Sequence, residues 1–182
     1  LCMMTAQIAN GGFAIKPKII VDSNPISYED AKQSMESGLL FDSNSDSLLD
    51  KKLFKNKKNI KIVQEAMFAS TNERFGTSYK SRIDDPKYQF AGKTGTAQVK
   101  KISKRERELD LELEQIPYKD RDHALYVAYG PYINPRYALS IIIEHGGSGS
   151  KAAAPIAKKL FKLIIDRHEL RNKQSNFERI TI

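Results

Sequence analysis

The stretch from Gln89 to Val99, Gln-Phe-Ala-Gly-Lys-Thr-Gly-Thr-Ala-Gln-Val, constrains the fold more than any other part of the chain. Its small and β-favouring residues predict a short strand. Two glycines so close together weaken a strand unless another backbone or a ligand comes near it. Lys93 offers a cation, and Thr94 and Thr96 offer hydroxyl groups. A strand with these side chains is suited to hold a carboxylate.

Alternation along a strand places Lys93 and Thr94 on opposite faces of the sheet. Both side chains reach one ligand if the strand lies at the edge of the sheet and lines a cleft. The unpaired N–H groups of such an edge are also free to bind an oxyanion. We therefore predict an edge strand beside a cleft.

The patterns around this strand predict helices before it and two strands and a helix after it. The order predicts an α/β fold of the α+β type, an antiparallel sheet backed by helices. The predicted elements are a helix over Leu1–Ala9 closed by Asn10-Gly11-Gly12, a helix from Ile60 to about Thr71, strands over Ala124–Tyr129 and Tyr137–Ile143 joined by a turn at Pro131–Pro135, and a helix marked by Ile156, Leu160 and Ile164.

The length of 182 residues suits one domain. We predict a domain over residues 1–170 and a tail over 171–182, with a charged insertion at about 100–120. Within the insertion, Glu108–Glu114 alternates with period two, which favours either an exposed ribbon or a charged, mobile excursion. Residues 15–21 are predicted to be extended, and 22–59 to be loops with short helical turns.

The net charge of +8 is compatible with nucleic-acid or lipid binding. No aromatic residues are interleaved with the basic runs for base stacking, so solvated lysine-rich faces are the favoured interpretation and no nucleic-acid partner is expected. The three histidines lack a second ligand at helical spacing, so no metal or other cofactor is predicted. The single cysteine, Cys2, is predicted to be a small core residue.

Lys-Thr-Gly at Lys93–Gly95 is one of three signatures of penicillin-binding proteins and serine β-lactamases. With its flanks, the segment Ala91–Gln98 resembles the third-strand motif of class B penicillin-binding proteins. Four other segments resemble the penicillin-binding protein 2 branch in family order: Leu1–Gly12, Arg121–Ala128, Asn134–Ala138 and Glu144–Ala157. The resemblance runs from about Leu1 to about Ile165 and is to the C-terminal part of a transpeptidase domain.

The resemblance implies part of the penicillin-binding protein/serine β-lactamase fold and a peptidoglycan D,D-transpeptidase that works through a serine acyl-enzyme. Lys93 would supply positive charge near the nucleophile. The Thr94 and Thr96 hydroxyls, with Gly95, would bind the terminal carboxylate of the substrate, and the Thr96 N–H would be half of the oxyanion hole. The implied partners are peptidoglycan stem peptides, β-lactam antibiotics and membrane proteins of the elongation machinery, on the periplasmic side of a bacterial inner membrane.

The other two family signatures are absent in their expected places. Ser148-Gly149-Ser150-Lys151 matches Ser-x-x-Lys but follows Lys-Thr-Gly, and Ser70-Thr71-Asn72 matches Ser-x-Asn by chance. We predict that Ser148 or Ser150 caps the last helix and that Ser70–Asn72 ends the preceding one. The catalytic serine is expected upstream, in a longer protein of which this chain is an inactive piece with exposed apolar surface.

Two other functions fit the same sequence. One is a β-lactamase or β-lactam sensor domain of the same fold, which the segments around His123 and His145 disfavour. The other is a non-catalytic fragment or pseudoenzyme that acts as a binding or structural module, and the missing signatures favour it.

Overall fold

In the part of the chain that the structure describes, a three-stranded antiparallel sheet lies at the centre, with the strands in the order β1-β2-β3. The computed structural model describes residues 1–15, 17, 52–101 and 111–180, with 172–180 described by backbone alone. Its elements are helix α1 (Cys2–Ala9), helix α2 (Lys57–Asn72), strand β1 (Ala91–Ala97), strand β2 (His123–Gly130), strand β3 (Tyr137–Ile143) and helix α3 (Ala154–Ile180). The predicted antiparallel sheet with helices is confirmed.

One face of the sheet is closely packed against α3. Phe90 and Tyr126 lie between the sheet and Phe161, and all three are 0% exposed. The Phe90 and Phe161 rings stack with their centroids 4.8 Å apart. Small residues of α3, Ala154 and Ala157, bring the helix close to the strands. This face holds the larger of the two hydrophobic cores.

The opposite face carries α1 and α2 and a smaller core. Met67 packs there against Ala91 and Tyr129, at the end of the sheet where β1 begins. The N-terminus of α2 is capped by the side chain of Asn56, which accepts a hydrogen bond from the N–H of Lys58. Two glycines with positive φ, Gly11 and Gly12, end α1 as the sequence predicts.

Several predictions about the elements are wrong in detail. Helix α3 continues to Ile180, so it does not give way to a loose tail after Arg171. Cys2 is exposed at the start of α1 and is not a core residue. Ser148 occupies the N-cap position of a π-helical turn (Gly149–Ala153) before α3, but its side chain caps nothing and instead bonds to Ser150 Oγ at 2.9 Å.

The described part of the insertion, residues 111–120, does not form the exposed ribbon that was one of its two predicted forms. Residues 111–120 contain two 3₁₀ turns, Leu113–Gln115 and Tyr118–Asp120, and no strand, so an exposed ribbon is wrong at this end. The first turn has a reciprocal capping box between Glu112 and Gln115. Residues 102–110 lie outside the described residues, as do most of the extended segment predicted over 15–21 (16 and 18–21) and most of the loops predicted over 22–59 (22–51).

Candidate active-site cleft beside strand β1

Strand β1 is an edge strand in the described part of the chain, because it pairs with β2 on one side and with no described strand on the other. Along such an edge, every second N–H and C=O group points away from the sheet. An oxyanion can therefore approach this row of N–H donors from the side. Within the described residues, β1 therefore has the edge position that the sequence predicts.

A cleft of about 760 Å³ lies between α1, α2 and the sheet and extends to this edge. Most of its lining is apolar, from both helices and from Val127 on β2. Lys93 and Thr77 contribute polar groups. Several of the apolar residues are well exposed: Met4 at 46%, Ile62 at 61%, Val63 at 41% and Phe75 at 83%. The prediction of exposed apolar surface is confirmed.

Lys93 is exposed and lines the cleft together with its cross-strand partner Val127. Its Nζ donates a hydrogen bond to the carbonyl oxygen of Thr94 at 2.8 Å. The ammonium group thus lies along its own strand at the edge of the sheet. It can interact with an anion or with a nucleophile that enters the cleft.

Thr94 lies on the opposite face of β1, half-buried, but its hydroxyl is at the edge of the strand. Thr94 Oγ1 is 3.2 Å from Thr77 Oγ1, and Thr77 lines the cleft. The Thr94 hydroxyl therefore reaches the cleft lining at Thr77, while the Lys93 ammonium bonds to the carbonyl oxygen of Thr94. That both side chains bind one ligand stays a prediction.

Gly95 and Thr96 lie further along β1 and do not line the cleft. Thr96 is exposed near the end of the strand, opposite Ala124 on β2. Gly95 is half-buried opposite Leu125. The described residues do not bring the Thr96 hydroxyl to Lys93, so the two predicted hydroxyl groups have different surroundings.

The two glycines of β1, Gly92 and Gly95, are each packed closely, but against different neighbours. A side chain on Gly92 would come within 2.3 Å of the Tyr126 hydroxyl, so only glycine leaves room for that ring. At Gly95, the backbone of Gly149 comes close to the strand. A Cβ on Gly149 would lie only 2.8 Å from the carbonyl oxygen of Gly95. The close backbone approach that the sequence predicts is thus present at Gly95.

The Tyr126 side chain connects the sheet to the end of α2 and to the loop that follows it through hydrogen bonds. Its hydroxyl lies 2.9 Å from Thr71 Oγ1 and 3.1 Å from Ser78 Oγ, and all three residues are buried. Burial raises the pKa of the Tyr126 phenol, and the two hydrogen bonds counteract part of this shift. The phenol is therefore neutral and acts as a structural group.

Ser70–Asn72 has the predicted position at the end of α2, where Asn72 is the last helical residue. The Asn72 amide donates to the carbonyl oxygens of Phe68 and Phe90, each at 3.0 Å, and so joins the helix to the residue before β1. Ser70 has a further contact that the sequence interpretation missed, a hydroxyl pair with Thr77 at 3.3 Å. A glycine followed by two hydroxyl residues soon after a helix, Gly76-Thr77-Ser78, is the sequence feature that could have pointed to this contact.

His123, at the start of β2, and His145, two residues after β3, make structural hydrogen bonds. The backbone N–H of His145 donates to His123 Nδ1 at 2.9 Å, and His145 Nδ1 lies 2.9 Å from the carbonyl oxygen of Arg121. His145 has a φ of 55° and its ring packs against Tyr118. In the described residues, no group of histidine, cysteine and carboxylate side chains is arranged to hold a metal ion.

No helix within the described ranges is long and apolar enough to cross a bilayer.

Comparison with known proteins identifies the family. The family model for the penicillin-binding protein transpeptidase domain matches residues 1–162. The peptidoglycan D,D-transpeptidase MrdA of Salmonella typhimurium is 37% identical over 105 residues, 58% of this chain and 16% of that protein. MrdA of Acinetobacter baumannii is 42% identical over 77 residues, 41% of this chain and 11% of that protein.

The fold is shared with solved transpeptidase structures. Pseudomonas aeruginosa PBP2, solved in complex with WCK 5153, aligns with a TM-score of 0.59 and 27% identity over 88% of this chain and 28% of that one. The D,D-transpeptidase domain of an Eggerthella lenta peptidoglycan glycosyltransferase aligns with a TM-score of 0.53 and 23% identity over 91% of this chain and 31% of that one. The chain spans 16% of the length of the Salmonella relative. Because the family model matches residues 1–162, the chain belongs to the penicillin-binding protein transpeptidase domain family.

Proposed function

We propose that this chain forms the Lys-Thr-Gly side of the active site of a peptidoglycan D,D-transpeptidase in cell wall elongation. The observation that carries the proposal is the position of Lys93, on an edge strand and in the lining of a cleft. The sequence similarity to MrdA proteins supports the same activity. The substrates are peptidoglycan stem peptides, and β-lactams are the inhibitors.

The reaction proceeds through a serine acyl-enzyme. The serine hydroxyl attacks the carbonyl carbon of the penultimate D-Ala, its proton leaves to a nearby base, and the terminal D-Ala departs as the amine. An amine of a neighbouring stem peptide then attacks the ester carbonyl and releases the serine. Lys93 supplies positive charge beside the nucleophile, and Thr94, Gly95 and Thr96 bind the carboxylate of the departing D-Ala. The Thr96 N–H is one of the two oxyanion-hole donors.

The nucleophile comes from chain outside these 182 residues. Ser148, which begins the single Ser-x-x-Lys match, pairs with Ser150 at the π-helical turn, while Gly149 packs on the backbone of β1 and β2. Both serines therefore belong to a packed turn and not to the cleft. The whole protein acts on the periplasmic side of the inner membrane, together with membrane proteins of the elongation machinery.

Labelling with fluorescent penicillin tests this function. The whole protein should form a covalent adduct, the 182-residue chain alone should not, and Lys93→Ala in the whole protein should slow labelling at least about 100-fold. Because Lys93 is exposed, the same variant should leave the unfolding transition unchanged. Labelling of the 182-residue chain would assign the nucleophile to a serine within it. An unlabelled whole protein would favour the alternative, a non-catalytic binding module.

A further inference from the structure

A row of three hydroxyl groups leads from the end of α2 to strand β1. Ser70 Oγ is 3.3 Å from Thr77 Oγ1, and Thr77 Oγ1 is 3.2 Å from Thr94 Oγ1. Thr77 is the central member, and it lies in the lining of the cleft with Ser70. None of the three family signatures includes Thr77.

The loop that carries Thr77 is fixed by close packing on the end of α2. A Cβ on Gly76 would lie 2.4 Å from the carbonyl oxygen of Ser70 and 2.5 Å from that of Ala69. The backbone N–H and the hydroxyl of Ser78 both donate to the Ser70 carbonyl oxygen, at 3.0 and 2.9 Å. The loop residues on both sides of Thr77 are thus held in place.

The chemistry of hydroxyl groups gives this row a direction. Each hydroxyl has one proton to donate and two lone pairs to accept with. A carboxylate only accepts, so Thr94 must point its proton toward a bound carboxylate. Thr94 Oγ1 then faces Thr77 with a lone pair, and Thr77 must donate to it. Thr77 in turn accepts from Ser70. The donor order Ser70 to Thr77 to Thr94 therefore presents the last proton to the ligand.

We propose that Thr77 is a positioning residue for carboxylate recognition, because it fixes the orientation of the Thr94 hydroxyl and polarises it by donating to it. Hydrogen bonds in a row strengthen one another, and those to a charged acceptor are the strongest. Without Thr77, the Thr94 proton is free to turn away from the carboxylate. This inference rests on the proposed function and adds a residue outside the Lys-Thr-Gly signature.

The test uses the whole protein and two acylating agents, a β-lactam with its free carboxylate and the methyl ester of the same compound. Thr77→Val keeps the shape of the side chain and removes the hydroxyl. We expect it to lower the second-order acylation rate constant for the free acid by about tenfold, the upper end of the cost of losing one hydrogen bond between neutral groups. The rate constant for the ester should stay the same, and Thr77→Ser should restore the rate with the acid.

Ser140→Ala is the matched control, because it removes a hydroxyl from β3, outside the cleft lining. It should change neither rate constant. Ser70→Ala removes the first donor of the row and tests the proposal independently of the folding of Thr77→Val. It should give a smaller loss, about threefold, again with the free acid alone.

Two outcomes overturn the positioning role while the wild-type protein is still acylated. One is a Thr77→Val protein that reacts with the acid at the wild-type rate. The other is an equal loss with acid and ester in both Thr77→Val and Ser70→Ala, which indicates a packing role. A wild-type protein that neither compound acylates overturns the proposed function, and this inference with it.

Discussion

The two faces of strand β1 differ in how they are packed. On the face toward α3, Phe90, Tyr126 and Phe161 are completely buried and Gly92 leaves room for a ring. On the other face, Lys93 borders a wide cleft lined by exposed apolar side chains. The packed face and the small core around Ala91 fix the position of the strand, so the open part of the other face can present Lys93 without supplying much stability.

The largest expected effect comes from removing a ring on the packed face. Phe161→Ala leaves a cavity beside Phe90 and Gly130, and we expect it to lower the free energy of unfolding by about 3–5 kcal/mol. Leu163→Ala on the same helix is the control, since Leu163 is 63% exposed. Denaturant unfolding of both variants measures the difference. Equal losses in the two variants would show that α3 does not pack as described.

Adding a methyl group to the packed face should have the next largest effect. In Gly92→Ala the new Cβ meets the Tyr126 hydroxyl and ring, and overpacking of this kind costs about 1–3 kcal/mol. In Gly95→Ala the nearest atom is Leu125 Cβ at 3.4 Å, so the loss of stability should be smaller. Thermal unfolding of the two variants compares the faces directly. A greater loss for Gly95→Ala would reverse the comparison.

A smaller, pH-dependent effect on stability is expected at the contact between α3 and the segment before β1. The Tyr88 hydroxyl donates to Asp166 at 2.5 Å, and this bond lowers the pKa of the Asp166 carboxyl below its ordinary value. A lowered pKa in the folded state means that the contribution to stability is present above pH 4 and is lost as pH falls through the folded-state pKa.

Tyr88→Phe should therefore be less stable than the wild type at pH 7, and the difference should shrink as the pH falls below about 4. Unfolding curves of both proteins across this range measure it. Lys87, which also pairs with Asp166, is unchanged in the variant. A difference that stays constant through acidic pH would assign the effect of Tyr88 to packing.

The smallest effect on stability is expected on the open face. Ile62→Lys changes a side chain that is 61% exposed in the cleft lining, so the free energy of unfolding should change by no more than about 0.5 kcal/mol. Self-association should decrease, because a charge interrupts the exposed apolar surface. Sedimentation of the 182-residue chain at increasing concentration measures this. A large loss of stability in Ile62→Lys would mean that this face is packed and not open.

Local patterns in the sequence predict the elements of this fold well. The apolar spacing at Ile60, Val63 and Met67 predicts α2, and the two apolar runs joined by Pro131–Pro135 predict the β2–β3 hairpin. These predictions succeed because α2 buries Ile60 and Met67 on one side and β2 buries Ala124, Tyr126 and Ala128 on one face, although Val63 stays exposed. The same reasoning is wrong at Arg171 and at Cys2, since α3 continues beyond one and the other is exposed.

Within the candidate site, the sequence by itself determined the residue types: an ammonium group, hydroxyls and two glycines on one strand, in the pattern of a transpeptidase family. Tertiary structure alone decided which of these groups meet. Thr77 reaches Thr94 because Gly76 packs on the end of α2, and Gly92 is required because Tyr126 crosses from the next strand. Such contacts join residues far apart in the chain, and no local pattern of side chains encodes the distance between them.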